Sequence, residues 1–155
     1  MQWKVEDVHM YVKAREYVDT LLIPMTPISY GGEQDELKSL AFQSEFLSVF
    51  LSELEKSFKG RVFLSPSYTY STTSMMEEEI KRLNSWCERA IADGFQHVFL
   101  FTLDSKWKVK ERELNGSLMW IPTGGVDSIH TQEGVHFVQS QIGQVTELIT
   151  SYWKQ

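Results

Sequence analysis

Apolar residues collect along this chain into short continuous runs, and the stretches between them carry helical periodicity. The most continuous run, His97-Val98-Phe99-Leu100-Phe101-Thr102-Leu103, has no alternating polar positions, which predicts a central strand covered on both faces. Thr20 to Pro24 and Arg61 to Ser65 have the same character and predict two more strands, and Leu118 to Pro122 predicts a fourth. Between the first two strands, Leu37, Leu40, Ala41, Leu47, Phe50, Leu51, Leu54 and Phe58 recur at 3.6-residue spacing from Asp35 until Gly60 stops the pattern. Met76, Ile80, Leu83, Cys87, Ala90 and Ile91 form the next apolar stripe, with Ser74 and Glu77 at capping-box spacing ahead of it and Asp93-Gly94 behind. Val8, Tyr11, Val12 and Val18 mark an opening helix that starts after Asp7, and Val138, Ile142, Val145, Leu148, Ile149 and Tyr152 mark a closing one.

Strands that alternate with amphipathic helices specify an α/β fold. The expectation is one domain over residues 1–155, a three-layer sandwich around a mostly parallel, Rossmann-like or flavodoxin-like sheet. In chain order of the four strands the sheet should read 2-1-3-4, with right-handed crossovers. Residues Lys106 to Leu114 fit either a short helix or an alternating strand. Asn115-Gly116 is a strong two-residue turn signal and favours an edge hairpin, which would set Lys106, Lys108, Lys110 and Arg112 on one face. Such an arm could present Trp107 to a protein partner within a basic rim, or its lysines could guard a sheet edge.

In open α/β sheets ligands bind beyond the carboxyl ends of the strands. Two stretches beyond strand ends read as loops, Met25 to Gly32, with its prolines and glycine pair, and the hydroxyl-rich Pro66 to Thr73. Together with the ends of the later strands they nominate Thr26, Ser29, Tyr30, Ser67, Tyr68, Asp104, Thr123, Gly124 and Asp127. A rim of hydroxyls and backbone suits a small polar or phosphorylated ligand. Asp104 and Asp127 are its candidate catalytic acids or bases, without an identifiable second group. Asp127, His130, Glu133 and His136 step by three and carry zinc-ligand chemistry, but on a helix those steps fan around the axis. A solvated acidic first turn with ordinary histidines is the competing reading. The chain has no Gly-x-Gly-x-x-Gly, no Walker sequence and no Gly-x-Ser-x-Gly elbow, so no cofactor is nominated. The single cysteine, Cys87, sits on an apolar stripe and reads as core rather than as a reactive thiol.

Charge and hydropathy narrow the partners. Fifteen Lys and Arg against twenty-one Asp and Glu leave a net charge of -6, which argues against a phosphate-neutralising nucleic-acid surface. No apolar run approaches the roughly 18 residues that span a bilayer. The early acids of Met1 to Asp7 do not resemble a signal peptide, so a cytoplasmic location is expected.

Trp107, the segment Asn115-Gly116-Ser117-Leu118-Met119-Trp120-Ile121-Pro122 and the Leu22-Ile23-Pro24 strand carry a resemblance to the YpiF-like family of small uncharacterised proteins from spore-forming Gram-positive bacteria. The resemblance spans nearly the whole chain. It implies no established activity and carries no catalytic residues over. Genes of that family often neighbour those of the menaquinol–cytochrome c reductase, which implies a role near respiratory-complex assembly. Two functions therefore stand as expectations: a small-ligand site at the strand ends, or a non-catalytic adaptor that docks through Trp107.

Overall fold

A computed structural model describes all residues, 1–155. The elements in order are α1 (Val5–Lys13), β1 (Thr20–Ile28), α2 (Gln34–Ser57), β2 (Val62–Leu64), β3 (Tyr68–Ser71), α3 (Met76–Ala92), β4 (His97–Thr102), α4 (Ser105–Val109), β5 (Ser117–Trp120) and α5 (Gln132–Trp153). Every strand pair is parallel, and the sheet runs β2-β1-β4-β5, with β3 continuing the β2 side of β1. This is the expected 2-1-3-4 order, with one strand added.

Side-chain alternation divides the core into two layers. Leu21, Ile23, Met25, Val98 and Leu100 face α3 and α4, with the partly buried Val8 and Tyr11 of α1 packed on the same side. Leu22, Phe99 and Phe101 face α2 and α5. Both faces of β1 and β4 are therefore covered, which is why their sequences lack an alternating polar position. Cys87 is fully buried on α3, and this burial pushes its thiol up to about 11. Native protein should label with a thiol reagent at least ~10³-fold more slowly than unfolded chain, because reaction must wait for opening. Labelling at the unfolded rate would contradict the burial.

β1 is longer than the apolar run predicts. It does not give way to a loop at Met25 but runs on to Ile28, because Met25 to Ile28 pair with Tyr68 to Ser71. Pro24 and Pro27 lie inside it, and the ladder explains how. Thr20 donates to the Arg61 carbonyl and Leu22 accepts from Ser65, so even-numbered residues of β1 bond toward β2 and β3. The missing N–H of Pro24 then falls at the gap between the β2 and β3 pairings. That of Pro27 faces the β4 side, where pairing has already ended at Pro24. The hydroxyl-rich stretch is likewise strand rather than loop, with Tyr68 and Tyr70 buried and Thr69 and Ser71 exposed.

Residues 105–113 form no hairpin. They make α4 and a short 3-10 turn, Glu111–Glu113, so β5 is reached by a crossover, and the exposed Trp107 arm does not exist. Gly116 has no positive φ, so Asn115-Gly116 is not a primed turn. The glycine is needed because a Cβ there would stand 2.9 Å from the Leu100 side chain. Asn115 is held by α3 instead: its N–H donates to Asn84 Oδ1 at 2.8 Å and its side chain to Glu88. Lys108 and Lys110 pair with Glu111 and Glu113 at helical i,i+3 spacing. Trp107 points inward, fully buried against the rings of Tyr70 and Tyr68 at 5.4 and 6.4 Å.

Two helix starts also differ. Asp7 does not cap α1; its carboxylate accepts from the Gln2 N–H upstream, and the helix begins at Val5. Met75 rather than Ser74 occupies the N-cap of α3, and no side chain caps it.

Candidate functional site

The extension of β1 by β3 splits the carboxyl-end rim, so the nominated residues do not share one pocket. On the β2 side, Thr26 is buried in the ladder and its hydroxyl accepts from Ser67 at 2.7 Å; both border a shallow serine-rich groove beneath α2. Tyr68 is fully buried, donating to the Glu79 backbone carbonyl at 3.0 Å and to its carboxylate at 2.5 Å. Burial raises its phenol, and Glu79 beside it adds to the effect. Burial alone would raise the Glu79 carboxyl, but the hydrogen bonds from Tyr68 and Arg82 outweigh it and hold it below 4.5. These groups are committed to each other, as are Tyr70 and Asp104, joined at 2.8 Å. Burial pushes the Tyr70 phenol up, and the Asp104 charge pushes it further. The second Asp104 oxygen caps α4 by accepting from the Lys106 N–H at 3.0 Å. Ser29 and Tyr30 sit at the tip of the β1–α2 loop, Ser29 donating to the Gly31 carbonyl and Tyr30 93% exposed.

On the β4–β5 side the rim opens into a recess of about 590 Å³ between the first turns of α2 and the loop that follows β5. Thr123 and Asp127 line it from the loop, and Leu103 lies between. The loop is shaped by a turn in which the Val126 N–H donates to Thr123, with Gly124 and Gly125 at φ of +60° and +92°. Gly124 thus shapes the wall without lining it. The far wall is Asp35, Lys38, Ser39, Phe42 and Gln43 of α2. Lys38 forms no ion pair, unlike Lys56, Lys108 and Lys110. The Gln43 side-chain Oε1 is shut off from solvent and has no hydrogen-bond partner.

Asp35, Lys38 and Gln43 were not nominated by the sequence pattern. Leu37, Leu40 and Ala41 suggest an apolar stripe running to the start of α2, yet the buried face is Phe42, Phe46, Leu47, Phe50, Leu51 and Leu54. Stepping back from that face by helical spacing leads to Ser39, Lys38 and Asp35, a polar continuation of a core stripe beyond the end of the sheet. That switch of polarity along one helix face is the signal that could have found them.

His130, Glu133 and His136 do not converge. No three His, Cys, Asp or Glu side chains are placed to hold a metal ion, and His130 is 81% exposed on its side chain, 3.9 Å from Glu45. The loop and helix are joined differently. Thr131 caps α5, accepting from the Gly134 N–H at 3.0 Å, and the Ser128 backbone lies so close over Gly134 that a Cβ there would overlap its carbonyl.

No helix is long and apolar enough to cross a membrane. No solved structure matches this chain. Over 111 residues, 72% of this chain and 71% of the relative, the sequence is 34% identical to the uncharacterized protein YpiF of Bacillus subtilis (strain 168). The model of the family described as "Protein of unknown function (DUF2487)" matches residues 9–153, which take in both walls of the recess and the Thr131–Gly134 cap, and the chain belongs to that family.

Proposed function

We propose that the recess at the carboxyl ends of β4 and β5 binds a small polar ligand bearing both hydrogen-bond donors and an acceptor or anionic group. The observation that carries this reading is the Lys38 ammonium, free of any ion pair, in one recess with the Asp35 and Asp127 carboxylates. Asp35 and Asp127 call for donors, and Lys38 calls for an anionic or carbonyl oxygen. With two carboxylates against one ammonium, a zwitterionic or polyhydroxylated ligand fits better than a phosphate dianion, whose charge the two aspartates oppose.

A ligand that binds only the folded protein stabilises it by mass action, about 2.7 kcal/mol at a hundred times its dissociation constant. For a domain of this size that is a rise of roughly 5–10 °C in Tm. Thermal-shift screening with amino acids, sugars, polyols and phosphorylated compounds should show such a rise for one of the first three groups. Lys38→Ala combined with Gln43→Leu should remove it while leaving the unliganded Tm within a few degrees. If no compound of any group shifts the native protein, the reading fails.

A further inference from the structure

We infer that the outer edge of β5 pairs with β5 of a second copy of this chain, joining two sheets across a twofold axis. The edges of the sheet are treated unequally. On the β2 side the Leu64 N–H donates to Met1 at 2.7 Å and Gln2 bridges Leu64, so that edge carries a cover. The exposed side of β3 is capped by Arg82, which donates to the Thr69 carbonyl at 2.8 Å. β5 has nothing beyond it, and a groove of about 620 Å³ runs along it, flanked by α5 and Lys108.

The register shows what this edge offers. Ile121 donates to Thr102 at 2.9 Å, so in a parallel ladder Met119 and Ile121 bond inward, while Leu118 and Trp120 direct their N–H and C=O groups outward. No group of the chain meets them there. Two antiparallel copies centred on Met119 would set Leu118 opposite Trp120 of the second copy, and Trp120 opposite its Leu118. Each pair exchanges both backbone hydrogen bonds, giving four in all. The next pair outward would be Gly116 with Pro122, and proline has no N–H to give, so the pairing is bounded at that length. Side chains agree with the backbone. Met119 and Ile121 belong to the α2–α5 layer, which leaves Leu118 and the 36% exposed Trp120 together on the other face. Across the axis they form two aromatic–aliphatic cross-strand pairs, a stabilising combination on a sheet. A strand that complements its own reverse in hydrogen bonds, length and side chains fits a second copy better than an arbitrary peptide.

Sedimentation of the full chain across micromolar to submillimolar concentrations tests this. The native protein should show a concentration-dependent dimer. Trp120→Pro deletes an N–H that takes no part in the ladder with β4, and should weaken the dimer about thirtyfold or more by removing two of the four bonds while far-UV dichroism stays native. Trp120→Lys, which keeps the N–H and charges the edge, should act in the same direction, and it decides the matter if the proline variant does not fold. Amide exchange at Leu118 and Trp120 should slow as concentration rises. A native chain that stays monomeric throughout, one that takes up an extended peptide only as a monomer, or a dimer that survives in the folded variants would each overturn the inference.

Discussion

Trp107→Ala should destabilise the protein by about 3–5 kcal/mol, the range for deleting a fully buried aromatic side chain. The indole is the largest fully buried side chain in the molecule, set edge-on to Tyr70 and Tyr68 at interplanar angles of 86° and 82°. Its removal opens a cavity under α4, between β3 and the α3 layer, that rigid neighbours cannot close. Trp107→Phe keeps an aromatic ring against Tyr70 and Tyr68 and should cost much less than alanine. Urea unfolding of the three proteins measures both differences. A loss under about 1 kcal/mol for the alanine variant would be the value expected of an exposed position, and would restore the docking arm that the sequence suggested.

The second large effect is expected at Gly134, with Gly143 of the same helix as its control. A methyl group at Gly134 would overlap the Ser128 carbonyl, so either the loop lifts or the helix start unwinds. Overpacking against backbone together with loss of the Thr131 cap should cost about 2–4 kcal/mol. At Gly143 nothing lies within 4 Å of the same methyl, and Gly143→Ala should stabilise by about 0.5–1 kcal/mol through helix propensity. The opposite signs are read in one set of thermal or urea melts. Because the displaced segment continues into Asp127 and Thr123, Gly134→Ala should also weaken any ligand of the recess, although Gly134 does not line it. Equal effects at the two glycines would mean that the loop is not seated on the helix.

Much of the architecture was legible in the apolar runs. His97 to Thr102 and Thr20 to Pro24 read as doubly covered strands because both faces are in fact covered, and covering both faces leaves no polar period. What misled was local chemistry used for a nonlocal purpose. Gly116 looks like a turn residue and is a clearance for Leu100; Lys108 and Lys110 look like part of a strand face and are instead the basic members of two i,i+3 ion pairs. Pro24 and Pro27 look like strand breakers, and only the pairing partners reveal that their missing donors face empty positions. At the candidate site, Thr123 and Asp127 follow from the rule about strand carboxyl ends. Lys38 and Gln43 do not, because they come from a helix whose first turns outrun the sheet. Tyr68 and Asp104 obeyed the positional rule and were still consumed by internal bonds, since position along a strand does not say which hydroxyls already have partners.

The two prolines of β1 bear on the making of the protein as well as on its finished form. β1 is translated before every strand that will flank it: β2 and β3 follow by some forty residues, and β4 by nearly eighty. Until then Thr20 to Ile28 is an apolar, uncharged segment with both edges bare, the composition that seeds intermolecular β-assembly. Pro24 interrupts one edge of any cross-strand ladder a foreign chain tries to build on it, and Pro27 interrupts the other. The native sheet tolerates both because no strand pairs with them on the side each proline nitrogen faces, so the same residues act as gatekeepers on the nascent chain at no loss of hydrogen bonding in the folded one.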